Sequence, residues 1–162
     1  MVSTAIIINP VSADYLRWQM RESFNLEEKS FICESKNGKL LPHHAHVNLG
    51  EINTSLNPRK FLHKTVQMVI YNIWASEQLG VCAAEICTAK VGGEIIKFPT
   101  NYPHIVICIK PPATLFDAHY LFFNEDNCVF LPESLIIEGI FCEIDTKKTV
   151  LVPDKLRVNL YV

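Results

Sequence analysis

The sequence lacks a charge excess of either sign. Fifteen Lys and Arg stand against 17 Asp and Glu, a formal net charge of −2 over 162 residues, so no overall field recruits nucleic acid or an anionic membrane. Any anionic ligand has to be held by a local site. Glycine is scarce, with six residues, and no repeat, low-complexity tract or Gly/Ser linker divides the chain, so one domain spanning 1–162 is expected. Long apolar runs are missing too. Ala5-Ile6-Ile7-Ile8 has no basic residue ahead of it and stops at Pro10, too short for a secretory signal or a membrane span, and it reads as a strand. No membrane association is expected.

Cysteine is present, six in all, but without CxxC pairs or the clustered spacing of a secreted disulfide framework. Cys82 and Cys87 are separated by four residues and need two more ligands before they make a zinc site. Free thiols inside apolar runs point to a reducing compartment, hence an intracellular location, cytoplasmic or nuclear. Neither a metal nor a cofactor is expected.

What the chain does have is apolar bulk. Hydrophobic residues make up 49%, with nine Phe, five Tyr and two Trp, enough to offset the entropy of ordering one core. After the first strand, Ser12 can cap a helix with Tyr15, Leu16 and Met20 on its apolar side. A short strand at Phe31 to Glu34, an Asn37-Gly38 turn and an extended stretch from Leu41 to Gly50 follow. Asn57-Pro58 offers a cap and a first-turn proline. Leu62, Val66, Val69, Ile70 and Ile73 then recur at helical spacing up to Gly80, which predicts a long second helix.

From Val81 the texture is β: Val81 to Val91, a Gly92-Gly93 turn, Glu94 to Phe98, and His104 to Ile109, stopped by Pro111-Pro112. A short helix or loop at Asp117 to Phe123 precedes extended segments at Cys128 to Leu131, Leu135 to Ile144 and Leu156 to Val162. The fold class expected is α+β, with two helices covering one face of an antiparallel sheet.

Alternation on a strand puts His44, His46 and Asn48 on one side of the first histidine segment. In the later one it separates His104, Val106 and Cys108 from Ile105, Ile107 and Ile109, the isoleucines facing the core. Two imidazoles projecting into one groove are what metal-free phosphodiester cleavage needs, because one accepts a proton from the nucleophile while the other gives one to the leaving oxygen.

His46-Val47-Asn48-Leu49 and His104-Ile105-Val106-Ile107 resemble the paired strand motif, His-x-Thr/Ser-x, of the two-histidine phosphoesterase superfamily. Tyr102-Pro103, Lys110-Pro111-Pro112-Ala113 and Leu135-Ile136-Ile137-Glu138-Gly139 are similar to the cyclic phosphodiesterase domains of fungal and plant tRNA ligases. The resemblance implies a bilobal α+β module with antiparallel sheets, two main helices on the outside and a central groove. It implies His46 and His104 as the catalytic acid–base pair, opening a 2′,3′-cyclic phosphate on RNA ends or nucleotides without a metal.

Asn48 and Val106 stand where the family carries hydroxyls; an Asn amide can donate to a phosphate oxygen and a Val cannot. Tyr102, Lys97 and His44 are the nearby residues that could make up the lost donor, and with Asn48 they complete the substrate-binding set. The alternative is a catalytically silent relative that binds RNA ends or phosphate, or an interaction module of an RNA-repair assembly. His63-Lys64-Thr65 matches the motif on paper but falls in the helical pattern, where residues two apart do not share a face. His119 follows Asp117 and could orient a substrate, but reads first as a partly exposed loop histidine; Cys108, with no basic neighbour in sequence, reads as packing rather than a nucleophile.

Overall fold

The computed structural model describes residues 3–25, 29–35, 38–47, 61–98, 101–144 and 150–151. Its elements are β1 (Ser3–Ile8), α1 (Pro10–Phe24), β2 (His44–Val47), β3 (Thr65–Ser76), β4 (Val81–Val91), β5 (Glu94–Ile96), β6 (His104–Ile109), the 3-10 helix Leu115–Phe123, a single 3-10 turn Glu125–Asn127, β7 (Cys128–Ile144) and β8 (Val150–Leu151). The class is α+β. All strand pairs are antiparallel, in the order β2-β1-β7-β3-β4-β5, with β6 also on β4 and β8 on β7.

Helix α1 begins earlier than Ser12. Asn9 is the cap, its side chain accepting from the Val11 amide at 2.9 Å, and Pro10 takes the first helical position, where its missing N–H costs nothing. Ser12 instead accepts from the Glu138 amide at 3.0 Å and ties the helix to β7. Leu16 and Met20 are buried as expected, together with Ala13 and Arg17, while Tyr15 is exposed. Asn25 ends the helix in the left-handed conformation that an Asn tolerates.

The long second helix expected before Gly80 does not exist over the described residues; Thr65–Ser76 is a strand of 12 residues. Val66, Met68 and Ile70 are buried in strict alternation, and then an irregularity between Ile70 and Asn72 shifts the phase, so that Ile73 and Trp74 are the next buried pair. The shifted period imitated a helical one. Leu62 and His63 precede the strand in a turn, His63 at φ 65, so His63 belongs to neither a helix nor a strand. Asn57-Pro58 lies outside the described residues, as does Leu156 to Val162.

Two clusters fill the two faces of the sheet. The first gathers Ile6, Val66, Met68, Ile70, Ile105, Ile107, Ile137 and Phe141 under Leu16 and Met20 of α1. The second gathers Trp74, Val81, Ala83 and Ile109 under Ala118 and Leu121 of the 3-10 helix. The sheet curls until Cα atoms of β2 and β6 come within 8 Å. Expected as a strand, Phe31 to Glu34 forms only isolated bridges. Ile32 exchanges backbone hydrogen bonds with Ile109 at 2.7 and 2.9 Å, and the Leu41 amide donates to Cys33 at 2.9 Å, so this segment closes the gap between β6 and β2. Arg17 holds it from the helix side, donating to the Leu41 carbonyl at 2.7 Å and pairing with Asp14.

Candidate functional site

β6 carries the second histidine motif largely as the alternation requires. Ile105 and Ile107 are buried in the first cluster, while His104 and Val106 turn to the face beneath the 3-10 helix. A register shift opposite Cys82 and Ala83 then reverses the phase, so Cys108 joins the first cluster and Ile109 the second, a correction to the expected grouping. Cys108 pairs in register with Cys82; the hydrogen bond its S–H gives to the Cys82 sulfur, and then burial, push the Cys108 thiol far up, which removes it as a nucleophile.

His104 is half-buried, and its Nδ1 lies 2.8 Å from the Tyr102 carbonyl oxygen. A carbonyl can only accept, so Nδ1 carries the proton and Nε2 is the lone-pair nitrogen of the neutral ring. Burial first, and then the charge of His119, hold the imidazole below the ordinary histidine range against the pull of the Tyr102 carbonyl. The ring is thus kept as a neutral base. Tyr102 contributes through its backbone. Its own ring stacks on Phe122 at 4.8 Å, and Phe122 in turn lies 5.1 Å from the His104 ring.

Sequence reasoning missed the polar row beside His104. Glu85 is the register partner of His104, and Asn72 that of Glu85, so three polar side chains cross three strands on one face. Asn72 donates to Glu85 Oε2 at 2.8 Å and Trp74 Nε1 to the same oxygen at 3.5 Å. The carboxylate fixes the amide orientation, because the reverse would set oxygen against oxygen. Asn72 Oδ1 is then buried without a partner among the described residues, a deficit of about 1–3 kcal/mol. The available signal was the strand pairing itself: once 65–76 is a strand antiparallel to β4, Asn72 and Glu85 fall opposite one another.

Where β5 and β6 part from β4, a cleft of about 520 Å³ opens, lined by Asn72, Glu85, Thr88, Lys97, Phe98 and Pro103 among others. This volume lies within the range of small-molecule sites. Lys97 is therefore on the wall of a cleft whose floor includes the partner of His104. His119 lies against His104, ring centroids 5.7 Å apart, and so belongs to the site rather than to a remote loop.

The first motif is described less fully. His46 pairs in register with Ala5 on β1, its side chain lies outside the described part, and Asn48 lies outside the described residues altogether. Ala45 is buried in the first cluster. His44 is half-buried with its ring nitrogen 3.0 Å from that of His43. Among the described residues no three of His, Cys, Asp and Glu gather to hold a metal ion, and no helix is long and apolar enough to cross a membrane. No protein-family model matches the chain, and no curated protein matches it either.

Proposed function

We propose that the chain hydrolyses 2′,3′-cyclic phosphates on RNA ends or nucleotides, with His104 and His46 as its acid–base pair. The observation that carries this reading is the bond between His104 Nδ1 and the Tyr102 carbonyl, which leaves Nε2 as the lone-pair nitrogen. The curl that draws β2 alongside β6 supports the pairing, since the first motif rides on β2. In this reading His104 Nε2 takes a proton from water as the water oxygen bonds to phosphorus. The bond from phosphorus to one ribose oxygen breaks, and the other imidazole gives that oxygen its proton. A phosphomonoester and a free hydroxyl result. The bilobal module with a central groove, an intracellular setting, cytoplasmic or nuclear, and the absence of a metal or cofactor belong to the same proposal.

The test is incubation of the purified chain with 2′,3′-cyclic nucleotides and cyclic-phosphate RNA in excess chelator. Turnover that falls to background in a His46→Ala/His104→Ala double variant supports the reading; turnover that survives, or none in the wild type, refutes it.

A second reading is favoured by Val106, which packs against the apolar cluster beneath the 3-10 helix and offers no donor. A silent relative binds phosphate or RNA ends saturably without turnover, and Asn48→Thr/Val106→Thr then creates cleavage. Absence of both binding and cleavage sinks this reading too.

A further inference from the structure

We propose that His119 is a phosphate-binding residue that supplies the donor missing at Val106, an inference that rests on the cyclic-phosphate reading above. The 3-10 helix has about three residues per turn, so Phe116, His119 and Phe122 lie along one side of it. That side faces His104. The His119 and His104 ring centroids are 5.7 Å apart with their planes at 89°, and Phe122 packs on His104 at 5.1 Å. Phe116 supports His119 from the preceding turn at 5.1 Å.

The helix is not free to drift. Ala118 and Leu121 are buried against the sheet, and Thr114 and Asp117 form a capping box in which the Thr114 amide donates to Asp117 at 2.7 Å. This bond engages the carboxylate nearest in sequence to His119. The other carboxylate of the site, Glu85, accepts from Asn72 and Trp74. His119 itself is exposed while His104 is half-buried, so the outer ring meets an arriving anion first. Two imidazoles at this separation and nearly at right angles can flank one tetrahedral phosphate, His119 donating to one of its oxygens while His104 keeps Nε2 towards the attacking water. Val106, on the same face as His104, packs against the second apolar cluster and has no polar atom to offer.

The experiment compares wild type, His119→Ala, His119→Gln and His119→Ala/Val106→Thr in hydrolysis of a 2′,3′-cyclic nucleotide. His119→Ala is expected to lower kcat/KM by about tenfold to a hundredfold, mainly through KM, the size of one hydrogen bond to a charged group. His119→Gln, which keeps a donor, loses less, and the added threonine recovers most of the loss. An unchanged kcat/KM in His119→Ala, or a loss that Val106→Thr does not recover, overturns the assignment.

If the wild type hydrolyses nothing, the enzymatic reading falls by itself, and inorganic phosphate followed by the imidazole NMR signals decides this one. Saturable shifts of both His104 and His119, weakened about tenfold in His119→Ala, uphold the site. Flat titrations in the wild type, or equal affinity in His119→Ala, overturn it.

Discussion

Glu85 and His104 are register partners across β4 and β6, yet the carboxylate takes its hydrogen bonds from Asn72 and Trp74 while the imidazole gives its own to the Tyr102 carbonyl. The acid is therefore a structural neighbour of the base and not its orienting partner. Glu85→Ala leaves two donors without their acceptor and is expected to cost about 1–3 kcal/mol in urea unfolding. The tautomer of His104 should be untouched, so its NMR titration midpoint should move little. A large shift of that midpoint with no change in stability contradicts the arrangement.

Acid should weaken the fold through two histidines. Burial, aided by the charge of Lys39, lowers His43, and burial, aided by His119, lowers His104. Each binds a proton less readily folded than unfolded. The stability each contributes is complete above the unfolded histidine pKa of about 6.5 and is lost as pH falls towards the depressed folded values. Thermal melts from about pH 8 down to about pH 5 should show a falling Tm, and His43→Gln and His104→Gln should each flatten the slope. A Tm that stays level across this window argues against either ring being held neutral.

Arg17 joins α1 to the segment that closes the sheet, through one hydrogen bond to the Leu41 carbonyl. Arg17→Met keeps most of the aliphatic packing and removes the charge-assisted bond, with an expected loss of about 1.5–3 kcal/mol. Urea midpoints check the magnitude, and amide exchange at Cys33 and Leu41 should accelerate more than exchange in β3.

Gly139 pairs with Ile8 on one side and Val66 on the other, and a Cβ there would lie 2.6 Å from both Ile6 Cγ2 and the Ile7 carbonyl oxygen. The backbone oxygen cannot swing aside. Gly139→Ala is expected to destabilise by about 1–3 kcal/mol through overpacking. A variant as stable as the wild type in the same urea titration refutes the close approach of β1 and β7.

The strands rich in β-branched residues were legible, and their interruptions were not. β4, the Gly92-Gly93 turn, β5 and β6 fall where the apolar alternation and punctuation put them, and Ile105 and Ile107 face the core as expected. Bulges defeated the same arithmetic twice. The shift at Ile70 and Asn72 gave β3 a helical spacing, although Val66, Val69, Ile70, Tyr71, Ile73 and Trp74 are β-formers, and the shift opposite Cys82 and Ala83 exchanged the faces of Cys108 and Ile109. Composition should have outweighed periodicity in a run of that kind.

The candidate site divides along the same line. His104, Tyr102 and Lys97 come from a local motif and its flanks; Lys97 lines the cleft with Glu85, and His104, the register partner of Glu85, is bound to the Tyr102 carbonyl. Asn72, Glu85 and Trp74 come from elements remote in sequence, and only the pairing of β3 with β4 assembles them. His119 reads first as a loop residue, with substrate orientation only an alternative, because nothing local shows that a 3-10 turn lays it across the β6 histidine.

The two backbone hydrogen bonds between Ile32 and Ile109 are the stitches of a seam running between the histidine-bearing strands. The seam has far fewer bonds than the ladders of β1, β7, β3 and β4, so amide exchange at Ile32 and Ile109 is expected to outrun exchange within them, while Phe31 keeps the segment anchored in the first cluster.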